Sequence, residues 1–224
     1  QPLIATVAFR RYSEQQYGYI KDDVKEYQMA CETGMFYEYF MKHFSGWEEP
    51  CTECGTGFSF ECETCRSKFK GMFFGKVFYT KEIEKENYLK TLFKEKYPTC
   101  YEAIFQIKGG LYSKEYKEFP LLMTEIETWV MFNTNLQLIK RGYDVVNIFD
   151  SLYSDSDEAI AIAKQLVTEK FEEFGITPKL KDISYRPSLE NPADLSEKAG
   201  EAIQPKQYFI DNYSLDEATA TEWY

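Results

Sequence analysis

Four cysteines fall within fifteen residues as two C-x-x-C pairs, Cys51/Cys54 and Cys62/Cys65. Each pair can place two thiolates on one metal. Four thiolates at about 2.3 Å around Zn²⁺ make a closed tetrahedral site with no position left for water, so the chemistry implied is structural rather than catalytic. Gly55 follows the first pair and suits the tight knuckle that points backbone N–H groups at sulfur, and Phe58, Ser59 and Phe60 can form a small hairpin between the pairs. Free or disulfide-bonded cysteines and an iron–sulfur centre are the other readings of such a cluster. The one histidine, His43, reads as a surface or core residue rather than a ligand.

Directly after Cys65 come Arg66, Lys70 and Phe74, spaced by four. On a helix these lie about one turn apart on a single face. Two cations below one aromatic ring make a site for a triphosphate with a stacked base: Arg and Lys offer charge-assisted hydrogen bonds to phosphate oxygens, and Phe offers a face. A solvated helix face is the alternative reading.

The surrounding charge is uneven. The chain of 224 residues carries a net charge of −11, yet residues 66–108 hold ten Lys/Arg against five Asp/Glu, which leaves −16 on the rest. A uniformly acidic surface repels phosphate, so any nucleic-acid contact belongs to that basic block. Aromatic content of 17% argues for a packed core. No apolar run is long enough to span a bilayer. Clustered cysteines without a signal segment point to a reducing, intracellular (cytoplasmic) setting. The opening residue is Gln1, not Met, which fits a piece of a longer protein.

The elements that must position these residues follow from periodicity and breaks. Residues 1–20 are ambiguous between a strand and a helix. Residues 22–44 read as two short helices broken at Gly34, and 66–79 as one helix. Residues 81–108 read as helices restarted at Pro98. A long helix is expected over 121–141, opened by Pro120 and stopped by Gly142. Strand–turn–strand is expected over 143–153, an amphipathic helix over 157–174 closed by Gly175, and a last strand within 178–186. From Pro187 on the chain reads as a loose acidic tail.

Arg66-x-x-x-Lys70-x-x-x-Phe74-Gly75 resembles motif B of family A DNA polymerases, on the helix that binds the incoming nucleotide. Phe93-x-x-x-Tyr97-Pro98 is similar to a stretch that follows that helix in the family. Asn147-Ile148-Phe149-Asp150-Ser151 resembles motif C. Residues 157–174 and 175–180 are similar to the helix and strand that close the palm. The order holds over residues 1–185 and is nearest to divergent phage or mobile-element members.

The resemblance implies an α+β fold: a palm of a small antiparallel sheet with packed helices, and helical fingers bearing an inserted four-cysteine zinc knuckle. Residues 1–44 would be palm after motif A, 45–110 fingers with the zinc insertion at 51–65 and the nucleotide helix at 66–79, 111–186 palm with the motif C hairpin, and 187–224 the tail. It implies DNA-directed DNA synthesis on primer–template DNA with dNTP substrates and Mg²⁺. Arg66, Lys70, Phe74 and Phe78 would bind the nucleotide, and Asp150 would hold the catalytic metal. Asp150 is expected at an exposed turn, with residues 145–149 burying the strand behind it.

The chain departs from the family at several points. Motif C reads Phe149-Asp150-Ser151 where the family has His-Asp-Glu, and Phe78 stands where the family has Tyr. No motif A aspartate precedes Gln1-Pro2-Leu3-Ile4, so the second carboxylate is expected upstream and the chain alone is expected to polymerise poorly. Asp22 or Asp23 would be the substitute candidate, and Asp144, Asp155 and Asp157 are expected to be solvated. A non-catalytic zinc-knuckle replication accessory or nucleic-acid-binding module is the alternative. The sequence assigns no oligomeric state and no membrane partner.

Overall fold

The computed structural model describes residues 2–44, 51–55, 59–80, 87–109, 117–148 and 150–181. The chain divides into two units at Leu180/Lys181, and all described residues except Lys181 belong to the first. The proposed tail from Pro187 lies outside the described residues, as do 182–186 of the expected last strand. Residues 178–181 are irregular rather than extended into a strand.

The described residues are mostly helical. Helices α1 (Pro2–Tyr17), α2 (Asp22–Thr33), α3 (Phe36–His43) and α4 (Glu63–Phe73) lead into a π-helical turn, Phe74–Phe78. Helices α5 (Tyr88–Lys96), α6 (Pro98–Ile107) and α7 (Glu118–Lys140) follow. A hairpin of β1 (Val146–Ile148) and β2 (Ser151–Tyr153) precedes α8 (Asp157–Glu172). The small antiparallel sheet expected from the resemblance is, among the described residues, this two-stranded hairpin alone.

α1 resolves the ambiguity of the first twenty residues in favour of helix. Every residue from Ile4 to Phe9 is buried because α1 packs against α2, α6 and α7. A helical stretch covered on all sides loses its apolar stripe, which is why these residues read equally as strand. α2 and α8 close on glycines in the left-handed region, Gly34 and Gly175. At Gly175, φ is +68°, so the backbone favours glycine there, and a Cβ would also displace the tip of the Arg10 side chain, 2.7 Å away.

α7 starts at Glu118, two residues before Pro120. Proline is tolerated in a first turn, whose N–H groups have no intrahelical partner. Pro98 opens α6, and the Thr99 amide donates to Asp23 Oδ2 of α2 at 2.7 Å. Asp23 is therefore a helix cap, not a free metal ligand, and Asp22 is exposed and paired with Lys25 at 2.9 Å.

One core draws on α1 to α8 and is built largely from aromatic rings. Phe9 stacks on Phe119 with centroids 5.8 Å apart and meets Tyr27 edge-on at 4.9 Å. Tyr27 is fully buried, and its hydroxyl donates to the Pro2 carbonyl at 2.9 Å. Phe36, Phe40, Phe73, Phe78, Phe93 and Tyr97 complete the cluster. Such ring pairs contribute about 0.5–1.5 kcal/mol each beyond area burial. A smaller cluster of Leu138, Ala159, Ala163 and Leu166 joins α7 to α8.

Candidate metal centre and cationic helix face

The first cysteine pair sits in a turn over residues 52–54, and the second straddles the start of α4, with Cys62 as its N-cap and Cys65 in its first turn. Gly55, at φ +64°, donates its N–H to the Cys51 carbonyl at 3.0 Å, and the Cys62 N–H donates to Ser59 at 3.3 Å. Residues 56–58 lie outside the described set. Phe60 and Glu61 form a bend rather than a hairpin strand. Thr64 Oγ1 donates to Glu53 Oε2 at 2.5 Å and ties the first pair to α4.

These turns bring Cys51 Sγ to 3.8 Å from Cys62 Sγ and Cys54 Sγ to 3.7 Å from Cys65 Sγ. All four sulfurs lie within 4.8 Å of one another. A tetrahedron of sulfurs about 2.3 Å from a central ion has edges of about 3.8 Å. A disulfide needs an S–S distance of about 2 Å, so the cysteines are spaced for one shared ion and not for pairing. Backbone N–H groups of Cys54 and Glu53 draw the Cys51 thiol below its ordinary pKa. At Cys65 the Ser59 N–H pulls the same way, but burial and the three other thiols outweigh it and push that thiol up to about 12. Four thiols crowded this closely do not all ionise without a cation.

α4 buries Cys65, Phe69 and Phe73, and the next face round carries Arg66, Lys70 and Phe74 at intermediate exposure. That face runs along α3 instead of standing free. Arg66 Nη1 lies 2.9 Å from Glu38 Oε1. Lys70 Nζ sits 5.7 Å from the centroid of the Tyr37 ring. Phe74 stacks on Tyr79 at 5.4 Å and meets Tyr37 edge-on at 6.4 Å. Burial pushes the Tyr37 phenol far up in pKa, and the nearby Arg66 charge partly opposes this.

The helix expected over residues 66–79 is not one uniform helix. The helix begins at Glu63, before Arg66, and ends at Phe73, where a π turn takes over, closed by Tyr79 N–H donating to Phe74 at 2.7 Å. Phe78, grouped above with the nucleotide ligands, is 0% exposed and packs on Phe9, Phe73, Phe93 and Phe119. The wider π turn rotates it into the core, so it offers no surface to a nucleotide. Finally, the basic block is not all surface. Lys90 and Lys108 are buried, and Lys108 donates to the Thr80 carbonyl at 3.3 Å. Burial, and then the charge of Lys90, lower the Lys108 pKa to about 8.

Asp150 is exposed at the hairpin turn, where Ile148 pairs with Ser151 and Val146 with Tyr153. Asn147 Nδ2 donates to the Ser151 carbonyl at 3.0 Å across the turn. The strand behind Asp150 is not buried as expected: Val146, Ile148 and Tyr153 are 58%, 51% and 53% exposed. In a two-stranded sheet, one face lacks a covering layer. Phe149 lies outside the described residues. Asp144, Asp155 and Asp157 are exposed, as expected.

Glu127 is half-buried, and burial followed by the Asp150 charge raises its pKa. The Tyr79 phenol is raised by burial and then by the charge of Glu127. Tyr79 is the ring stacked on Phe74.

No family model matches the chain, nor does any characterised protein or solved structure. The weight therefore rests on geometry. Glu38, Tyr79 and Glu127 were not singled out from the sequence. Glu38 lies 28 residues from Arg66, and no local spacing marks it. Among the described residues no helix is long and apolar enough to cross a membrane.

Proposed function

We propose that this chain is the fingers-and-palm portion of a nucleotidyltransferase similar to family A DNA polymerases, adding nucleotides from dNTP to a primer 3′-hydroxyl. The observation that carries this reading is the face of α4 and the turn after it, where Arg66, Lys70 and Phe74 follow one another along α3 beside Glu38 and Tyr37. In this reading Arg66 and Lys70 bind the triphosphate and Phe74 offers its ring to the base. Asp150 and Glu127 supply oxygen ligands of the kind a hard cation such as Mg²⁺ prefers. Bound there, Mg²⁺ would lower the cost of bringing a 3′-hydroxyl and a polyphosphate together. The four cysteines would hold Zn²⁺ and, through Cys65, fix the first turn of the helix that presents Arg66 one residue later.

Primer extension on a DNA primer–template with Mg²⁺ and dNTPs tests it. The expected result is weak, salt-sensitive extension that Asp150→Asn lowers by at least about a hundredfold while the fold and bound zinc persist. Extension that survives Asp150→Asn would reduce Asp150 to a turn residue. DNA binding without any extension would favour a non-catalytic zinc-knuckle module.

A further inference from the structure

The cationic face of α4 is already occupied. The Arg66 guanidinium, with five N–H donors, is engaged by Glu38 Oε1 at 2.9 Å, and the two side chains keep 29% and 21% of their exposure. The other carboxylate oxygen, Glu38 Oε2, is buried and has no hydrogen-bond partner. α3 presents Tyr37 and Glu38 in succession, so the residue that supports Lys70 adjoins the one that neutralises Arg66.

This ion pair is half-satisfied. A buried carboxylate oxygen without a donor carries an uncompensated desolvation cost. The pair therefore holds Arg66 in place while being easier to open than one in which every oxygen is bonded. A ligand bringing several anionic oxygens can offer the guanidinium a two-pronged contact and lets the Glu38 carboxylate swing toward water. A ligand with little charge cannot make that exchange.

We propose that Glu38 is a latch on Arg66 that sets the specificity of the α4 face for polyphosphates, opening for a nucleoside triphosphate and staying shut to a monophosphate. This rests on the reading of α4 as a nucleotide-binding helix. Glu38 is a positioning residue: it acts through Arg66 and does not touch the ligand.

Titration of the whole chain with dATP and with dAMP tests the latch, using wild type, Glu38→Gln, Arg66→Gln and the double variant. Zinc content and circular dichroism confirm that each variant folds. Glu38→Gln keeps the shape and removes the charge. It is expected to tighten dATP binding roughly three- to tenfold and dAMP binding by more, so that the triphosphate-to-monophosphate ratio falls. In the Arg66→Gln background Glu38→Gln is expected to change nothing, because the latch has no bolt to hold. Glu38→Ala gives a second check if the Gln variant loses zinc. Wild type and Glu38→Gln binding dATP equally, with Arg66→Gln weaker, would overturn the latch and leave the nucleotide face standing. No dATP binding by any folded variant would overturn both.

Discussion

The knuckle and the hairpin are both short turns that present reactive side chains, yet they are built in opposite ways. The knuckle is complete within its own segment: all four ligands come from residues 51–65, and local turns set the sulfurs 3.7 and 3.8 Å apart. The hairpin carries Asp150, its strands are three residues each, and the carboxylate proposed to join Asp150 comes from α7, where the Asp150 charge helps raise the Glu127 pKa. A locally closed site depends on its own spacing. A site assembled from distant elements depends on the packing that brings them together, here the α7–α8 layer and its contact with the hairpin.

The largest effect expected from this contrast is loss of the metal. A four-thiolate zinc site in a small domain can contribute on the order of 10 kcal/mol to folding. Purified without chelator, the chain is expected to hold about one zinc per molecule by elemental analysis. Cys54→Ser or Cys62→Ser is expected to lose that zinc, lower Tm sharply and fray the start of α4. Asp150→Asn, at the other turn, is expected to leave both zinc and Tm unchanged. Less than about 0.2 zinc per chain in the untreated protein would end the metal-centre reading.

A smaller effect separates the two aromatic residues that the motif placed together. Phe78→Ala opens a cavity in the ring cluster and is expected to cost about 3–5 kcal/mol in a denaturant melt. Phe74 is half-buried, so Phe74→Ala is expected to cost less than half of that and to weaken dATP binding instead. Equal destabilisation by the two variants would mean that Phe74 is a core residue and that no ring on α4 remains for a base.

Much of the fold could be read in the sequence, because its signals are local. Gly34, Gly142 and Gly175 stop α2, α7 and α8 where their positive φ values place them. The Ser156 side chain accepts the Ala159 N–H at 3.2 Å at the start of α8, and the hairpin register follows the expected strand–turn–strand. α1 is ambiguous in sequence because its stretch from Ile4 to Phe9 is buried at every position. The π turn shifts the buried ring spacing from four residues between Phe69 and Phe73 to five between Phe73 and Phe78, and it decides the fate of Phe78. Two buried lysines inside the basic block show that a charge count along the chain does not locate charge in space. Of the sites, the cysteine cluster is legible by spacing. The Arg66–Glu38 pair, 28 residues apart, and the Glu127–Asp150 pair depend on tertiary packing alone.

The smallest expected effect is also the most direct probe of the assembled site. Glu127 holds its proton to a higher pH in the folded chain than its ordinary value of 4.5, first through burial and then through the Asp150 charge. The folded state therefore binds more protons than the unfolded state across that window. Stability contributed by Glu127 is full below pH 4.5 and is lost as pH rises through the raised folded value. Asp150→Asn removes the neighbouring charge but not the burial, so the Glu127 midpoint is expected to move down without returning fully to the ordinary value. A carboxyl-carbon NMR titration of wild type and Asp150→Asn reads this directly. Glu127→Gln is expected to flatten the pH dependence of stability over the same window. Added Mg²⁺ is expected to pull the wild-type midpoint down as well, since a cation shared by both carboxylates favours their charged forms. A Glu127 midpoint that ignores both Asp150→Asn and Mg²⁺ would show that the two carboxylates do not share a site. The hairpin would then be an exposed turn, and the contrast with the self-contained knuckle would become one between a site and no site.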